Sequence, residues 1–171
     1  MSAELIVEII LILIFGVFIC IYGWPMLRGA PYAASNVIAV KDIADRITPL
    51  PGERACDLGS GDGRLVIALA KKGIETHGYE INRFLVWQSR RKIKKAGLAK
   101  LAFIHRHSYW KADLSSYTIV TLFGIPYIMK GLEEKLRKEL PLGARVYCNR
   151  YKFPAWQPVK EENGVIVYVQ S

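Results

Sequence analysis

One stretch limits the folds open to this chain more than any other: Asp57-Leu58-Gly59-Ser60-Gly61-Asp62-Gly63-Arg64. It follows a short apolar run ending at Cys56-Asp57-Leu58 and leads into Arg64–Lys72, which carries the apolar period of a helix. Alternate glycines at a strand-to-helix turn let the backbone double back sharply and approach a ligand with no Cβ in between. A strand, a glycine turn and a helix form the opening of a parallel β-α-β unit. The rest of the chain continues that alternation. Strands are expected near Thr76–Tyr79, Leu101–Ile104, Thr118–Phe123, Ala144–Asn149 and Val165–Val169, and helices over Asn36–Ile47, Arg83–Ala96 and Met129–Leu140. The Thr118–Phe123 run is rich in β-branched and apolar residues, as a strand covered on both faces should be. The expectation is a doubly wound α/β domain with a mostly parallel seven-stranded sheet, and a loop over Phe153–Pro158 before the last strand.

The loop's details narrow its ligand. A nicotinamide-binding turn places its third glycine one position later, where this chain has Arg64. A phosphate-cradling loop needs Gly-Lys-Ser/Thr, which is absent. Asp57 instead stands two places before the first glycine, where its carboxylate can fix the turn and meet the amino-acid end of a nucleoside ligand. Seventeen residues after Gly63, Glu80 in Gly78-Tyr79-Glu80-Ile81-Asn82 ends the second strand. A carboxylate there can accept hydrogen bonds from both hydroxyls of a ribose. In this order and spacing, the two acids and the glycine turn point to S-adenosylmethionine. The candidate contacts are Asp57, Gly59, Ser60, Gly61, Asp62, Gly63, Glu80 and Asn82. No metal-ligand spacing is present, and Cys20, Cys56 and Cys148 read as free thiols of a reducing compartment.

The first part of the chain is of a different kind. Residues Leu5–Trp24 hold one charge, Glu8, and twenty helical residues rise about 30 Å, the thickness of a bilayer's hydrocarbon core. Trp24 and Tyr22 suit an interface, and Pro25 stops the helix. The expected organisation is a single transmembrane anchor over residues 1–27 and an α/β domain over 28–171. An acidic start and a long apolar run argue against a cleaved signal peptide. No Lys or Arg precedes Arg28, while the remainder carries 24 basic and 13 acidic residues (15 − 2). That asymmetry places the domain on the cytoplasmic side of the membrane, and the excess charge favours anionic headgroups. Nucleic acid is not expected as a partner.

Beyond these elements the chain resembles a known family. Asp57–Arg64, Gly78-Tyr79-Glu80-Ile81-Asn82, Leu85-Val86-Trp87 and Ser89-Arg90 are similar to the membrane-anchored protein-lysine methyltransferases that modify the ATP synthase c-subunit and the adenine nucleotide translocator. The likeness continues through Tyr109-Trp110-Lys111, Leu114-Ser115-Ser116-Tyr117, Phe123-Gly124-Ile125-Pro126 and Leu132-Glu133-Glu134-Lys135-Leu136 to Phe153-Pro154-Ala155-Trp156. The resemblance implies a Rossmann-like class I methyltransferase, of a prokaryotic type, that uses S-adenosylmethionine on a lysine of a membrane protein. It also implies that Tyr32, in Pro31-Tyr32, covers the cofactor and that Ser108 and Tyr109 border the adenine. Ser108 departs from the acidic residue usual there, and Ala33-Ala34 replace two prolines.

Methyl transfer to an amine asks the protein mainly to position the reactants and exclude water. Phe123, Pro126 and Tyr127, just after the fourth strand, are placed to form a lysine channel, with Trp156 and Tyr32 positioned to close it. No general base is assigned; His105 and His107 read as strand-end residues. Two other readings are open: a small lipophilic acceptor for the same chemistry, and a cofactor-binding module without activity.

Overall fold

The computed structural model describes Ala3–Phe18 and Val37–Ser171. By internal contacts the chain divides into two compact units, residues 1–33 and 34–171. In the first, α1 runs over Ala3–Phe18, 16 residues, with Ile9, Leu11, Ile12, Leu13 and Phe15 exposed. No described helix is long and apolar enough to cross a membrane. The rest of the expected span, residues 19–24, lies outside the described residues, as do Cys20 and Tyr32.

The second unit follows the expected alternation. In chain order it comprises α2 (Val37–Arg46), β1 (Arg54–Leu58), α3 (Arg64–Ala70), β2 (Glu75–Tyr79), α4 (Arg83–Lys95), β3 (Ala102–His105), β4 (Ile119–Phe123), α5 (Met129–Glu139), β5 (Arg145–Asn149), β6 (Lys160–Glu162) and β7 (Val165–Val169). The strands form one seven-stranded sheet in the order β3-β2-β1-β4-β5-β7-β6. The first five are parallel, and β7 enters antiparallel between β5 and β6. The strand order reverses between β1 and β4, so the crevice beyond the carboxyl ends of β1, β2 and β4 is the ligand position of such sheets.

Burial explains the layers. On one face α2 and α3 set Ile43, Ile47, Leu65 and Leu69 against Ala55, Ile119 and Tyr147, and α3 and α4 enclose Val66, Val86 and Ile93 against Ala102 and Ile104. The other face carries α5, whose Met129, Leu132, Glu133 and Leu136 recur at helical spacing and meet Val120, Leu122, Val146 and Cys148. Between β3 and β4 the chain makes only a 3-10 turn, Tyr109–Lys111, and Leu114 and Tyr117 fill the space a helix would cover. β6 was not foreseen as a strand: its Lys160-Glu161-Glu162 is exposed and gives no apolar signal, being held by pairing with β7 and by polar contacts from Arg46 and Lys152.

Candidate active site

The glycine turn is built by its own backbone. Gly59 and Ser60 N–H groups both donate to the carbonyl of Tyr79, each at 3.0 Å, tying the turn to the end of β2. Gly59, Gly61 and Gly63 all have positive φ, where residues with a Cβ are strained. Gly63 is doubly required, because a Cβ there would lie 2.7 Å from Ser89 Cβ on α4. At Gly59 a Cβ would meet nothing within 4 Å, so the backbone there faces open space.

Glu80 is clamped at the centre of the turn. Its Oε2 accepts from the Gly61 N–H at 3.0 Å and its Oε1 from the Asn82 N–H at 2.7 Å. Each oxygen spends one acceptor position on backbone, and a carboxylate offers about four, so capacity for two hydroxyl donors remains. Asp57 lies buried at the end of β1, accepting from Thr121 Oγ1 at 2.8 Å. Burial pushes its carboxyl up to about 7; the Thr121 hydrogen bond opposes this and the Glu80 charge adds to it. The two acids therefore share one electrostatic neighbourhood.

The remaining expected cofactor contacts divide. Ser60 is buried, and its hydroxyl finds no hydrogen-bond partner among the described residues. Asp62 is engaged within the protein. Its Oδ2 takes Lys92 Nζ at 2.6 Å and Arg64 Nε at 2.8 Å; burial opposes its ionisation, and these cations hold its carboxyl below the usual range all the same. It locks the turn to α4. Asn82 caps α4, its side-chain oxygen accepting from the Phe84 and Leu85 N–H groups, which commits that oxygen to the helix and leaves the amide's N–H donors for other partners. Ser108 precedes the Tyr109–Lys111 turn without a side-chain capping bond. Burial raises the Tyr109 phenol; Tyr127 and Glu80 push it the same way, and a hydrogen bond with Trp110 opposes them.

The expected lysine channel is only partly assembled. Pro126 and Tyr127 form a 3-10 turn directly after β4, with Tyr127 70% exposed. Phe123 packs partly buried against the α2–α3 side. Trp156 does not join them. Its indole is buried on the α5 side, stacked 5.6 Å from Phe153 and tilted against Tyr168 at 5.3 Å. The Ala155 N–H donates to the buried Glu133 carboxylate at 3.0 Å, which draws the 153–156 segment down onto α5 and removes Trp156 from any channel. His105 is likewise a packing residue, with Nε2 2.9 Å from His77 Nδ1 and its ring stacked on Tyr79.

Two supporting residues escaped the sequence reading. Thr121, the one polar residue within the apolar β4, holds Asp57. Gly78 lets Ser60 settle against β2, since a Cβ there would fall 2.6 Å from Ser60 Oγ. A glycine inside a strand is the readable sign of such close approach.

A family profile described as the ANTKMT methyltransferase domain matches residues 57–160, from Asp57 into β6. The chain belongs to this family. As a member of the ANTKMT methyltransferase domain family it resembles the lysine N-methyltransferase of the ATP synthase c-subunit in Mus musculus, 47% identical over 102 residues, covering 60% of this chain and 41% of that protein. A protein-lysine N-methyltransferase of Saccharolobus islandicus is 34% identical over 139 residues, covering 78% of this chain and 86% of that protein. Among solved structures, an RNA methyltransferase from Salinibacter ruber in complex with S-adenosyl-L-homocysteine superposes with a TM-score of 0.73 at 30% identity, covering 81% of this chain and 92% of that one. The chain spans about half the length of the animal relatives it matches, from 41% for the mouse c-subunit enzyme to 59% for a mouse adenine nucleotide translocase lysine N-methyltransferase. The sheet order and the glycine turn are those of a class I methyltransferase domain.

Proposed function

We propose that this family member is an S-adenosylmethionine-dependent methyltransferase that modifies a lysine side chain of a membrane protein. The observation that carries the cofactor reading is the Glu80 carboxylate, fixed by the Gly61 and Asn82 N–H groups with acceptor capacity left for a ribose. The residues fit the group: an open approach at Gly59, a buried acid at Asp57 for a cationic amino-acid end, and a clamped acid at Glu80 for the sugar. When bound, the cofactor supplies a methyl group on a cationic sulfur.

The chain's own task is then to present a neutral amine. Deprotonating a lysine of pKa about 10.4 costs about 4 kcal/mol at pH 7.5. An apolar rim lowers that cost by disfavouring the ammonium. Pro126 and Tyr127, with the part of Phe123 left uncovered by the α2–α3 side, are read as that rim, and backbone carbonyls at the end of β4 as the groups that orient the amine. No side chain here is assigned as base, and water accepts the proton before transfer.

The lysine acceptor draws support from the relatives named as protein-lysine methyltransferases, including the archaeal one matched over most of its length. The membrane setting draws on the exposed apolar helix α1 and on the unbroken apolar run to Trp24, read as a single-pass anchor with the domain on the cytoplasmic side. A tether raises the effective concentration of the domain against a bilayer substrate. RNA is the second reading, favoured by the Salinibacter ruber structure and the formal net charge of +9. One experiment separates them: labelled methyl groups are supplied to cell extracts with this protein present. Label in a small membrane protein, on lysine, supports the proposal. Label in RNA or extracted lipid overturns the acceptor, and binding without any transfer leaves a cofactor-binding module.

A further inference from the structure

The methyltransferase reading uses α4 through its Asn82 cap and through Ser89 and Lys92, which brace the glycine turn, and leaves the outer face of that helix without a role. Over Arg83–Lys95 it carries six basic residues and no acidic one. Two of the six are spent on the fold: Arg90 donates to the Ile104 carbonyl at 2.7 Å, and Lys92 pairs with Asp62. Arg83, Arg91, Lys94 and Lys95 make no ion pair among the described residues. The inner stripe, Leu85, Val86, Ser89 and Ile93, is buried. Opposite it, Phe84 and Trp87 stand 63% and 55% exposed. Their rings lie 5.9 Å apart, and the Arg91 guanidinium sits 5.6 Å from the Trp87 ring centre. Residues 84, 87, 91 and 94 share one side of the helix, aromatic at its start and cationic at its end.

We propose that this face of α4 is a docking surface for anionic lipid, with Phe84 and Trp87 seated at the acyl boundary and Arg91, Lys94 and Lys95 on headgroup phosphates. A solvated face accounts for the cations, which also complement the helix C-terminus. It does not account for two adjacent aromatic rings left in water. Tryptophan beside cations is the composition of helices lying in the bilayer interface, where the ring's apolar body and polar N–H are both satisfied. The apolar and cationic groups are segregated along the helix, not interleaved as a strand of stacked bases and phosphates would require. The proposal rests on the reading that α1 is held in a bilayer, which keeps the domain within reach of headgroups. Because α4 starts just past Glu80, docking there sets the rim of the cofactor crevice at the membrane surface, where a lysine in a membrane protein's loop is presented.

The test uses the full chain reconstituted in vesicles of phosphatidylcholine alone and of phosphatidylcholine with about 30 mol% phosphatidylglycerol, each with brominated acyl chains. The readout is the Trp87 contribution to fluorescence, taken as the difference between wild type and Trp87→Phe. The expected result is roughly twofold or stronger quenching of that component in anionic vesicles over zwitterionic ones, abolished in Arg91→Glu/Lys94→Glu/Lys95→Glu and weakened by salt. Equal exposure of Trp87 in both vesicles, with flotation intact, overturns the α4 proposal while α1 anchoring stands. Failure of wild type to float with either vesicle at about 0.5 M salt sinks the anchoring reading on which it rests. Salt-sensitive retention of RNA, lost in the triple variant with no change in lipid quenching, assigns the face to nucleic acid and likewise overturns the proposal.

Discussion

At the ends of β1 and β2 almost every polar group is tied down before any ligand arrives, whereas beyond β4 the chain leaves the Tyr127 ring in solvent. On the first side Glu80 has backbone partners on both oxygens, Asp57 is bonded to Thr121, and Asp62 is pinned by Lys92 and Arg64. On the second, Pro126 and Tyr127 ride on a single 3-10 turn and Tyr127 is mostly exposed. A nucleoside can thus be held by a preorganised cradle, where the cost of ordering has already been met in folding. The acceptor side has little built structure of its own, so few side chains there are available to select a substrate. If that contrast is right, damage on the first side destroys binding or the fold, and damage on the second alters turnover mildly.

The largest effect should come from Glu80→Ala. It removes two charged acceptor positions for ribose, each worth about 1.5–3 kcal/mol, and releases the Gly61 N–H. Calorimetric titration with S-adenosylhomocysteine should show affinity falling at least about 100-fold. A loss under threefold would mean that Glu80 does not hold the sugar. Next comes Gly63→Ala, which should destabilise the domain by about 2–4 kcal/mol, from positive-φ strain plus overlap with Ser89. Ser89→Gly in the same background should recover the overlap part and not the strain. Denaturant unfolding that shows Gly63→Ala unchanged would remove the turn from the fold's requirements.

The same contrast decides how much was readable in the sequence. Backbone-driven features were visible: the Gly59-Ser60-Gly61-Asp62-Gly63 turn, Asp57 and Glu80 at strand ends, and six strands with an apolar core face. Residue roles set by distant contacts were not. Asp62 reads as a ligand contact, and its bond to Lys92, thirty residues later, has no sign in the local sequence. Asn82 fits a ribose neighbour as well as a helix cap, and its capping role shows only in the bonds from the Phe84 and Leu85 N–H groups. Trp156 carried the composition of a channel wall, but burial of Glu133 beneath the 153–156 segment turned it into core. β6 had no apolar pattern to read because neither of its faces is covered.

A subtler test of the preorganised side uses pH. Burial holds the Asp57 carboxyl near 7 in the folded domain, against about 4 in an unfolded chain. A folded value raised above the unfolded one means that the ligand-free domain gains stability as pH falls from about 7 towards 4, since only the folded form takes up the proton there. A cationic amino-acid end needs the ionised form, so ligand binding should change with the opposite sign. S-Adenosylhomocysteine affinity is expected to fall by nearly tenfold between about pH 8 and pH 6, and to stay flat in Asp57→Asn. A wild-type profile as flat as the variant's would separate Asp57 from the ligand.

The smallest effect is expected at the loosely built side. Tyr127→Ala strips an exposed ring from the turn after β4 and touches neither Glu80 nor the glycine turn. S-Adenosylhomocysteine affinity and the unfolding midpoint should be unchanged, while methylation of a lysine acceptor drops a few fold, about 1 kcal/mol of lost apolar contact at the rim. The split between KM and kcat carries the information. A rise in KM alone makes Tyr127 a binding surface for the acceptor; an equal loss in kcat and kcat/KM makes it part of the wall that keeps the amine neutral. If instead cofactor affinity collapses with Tyr127, the two sides are one cooperative unit and the contrast between them fails.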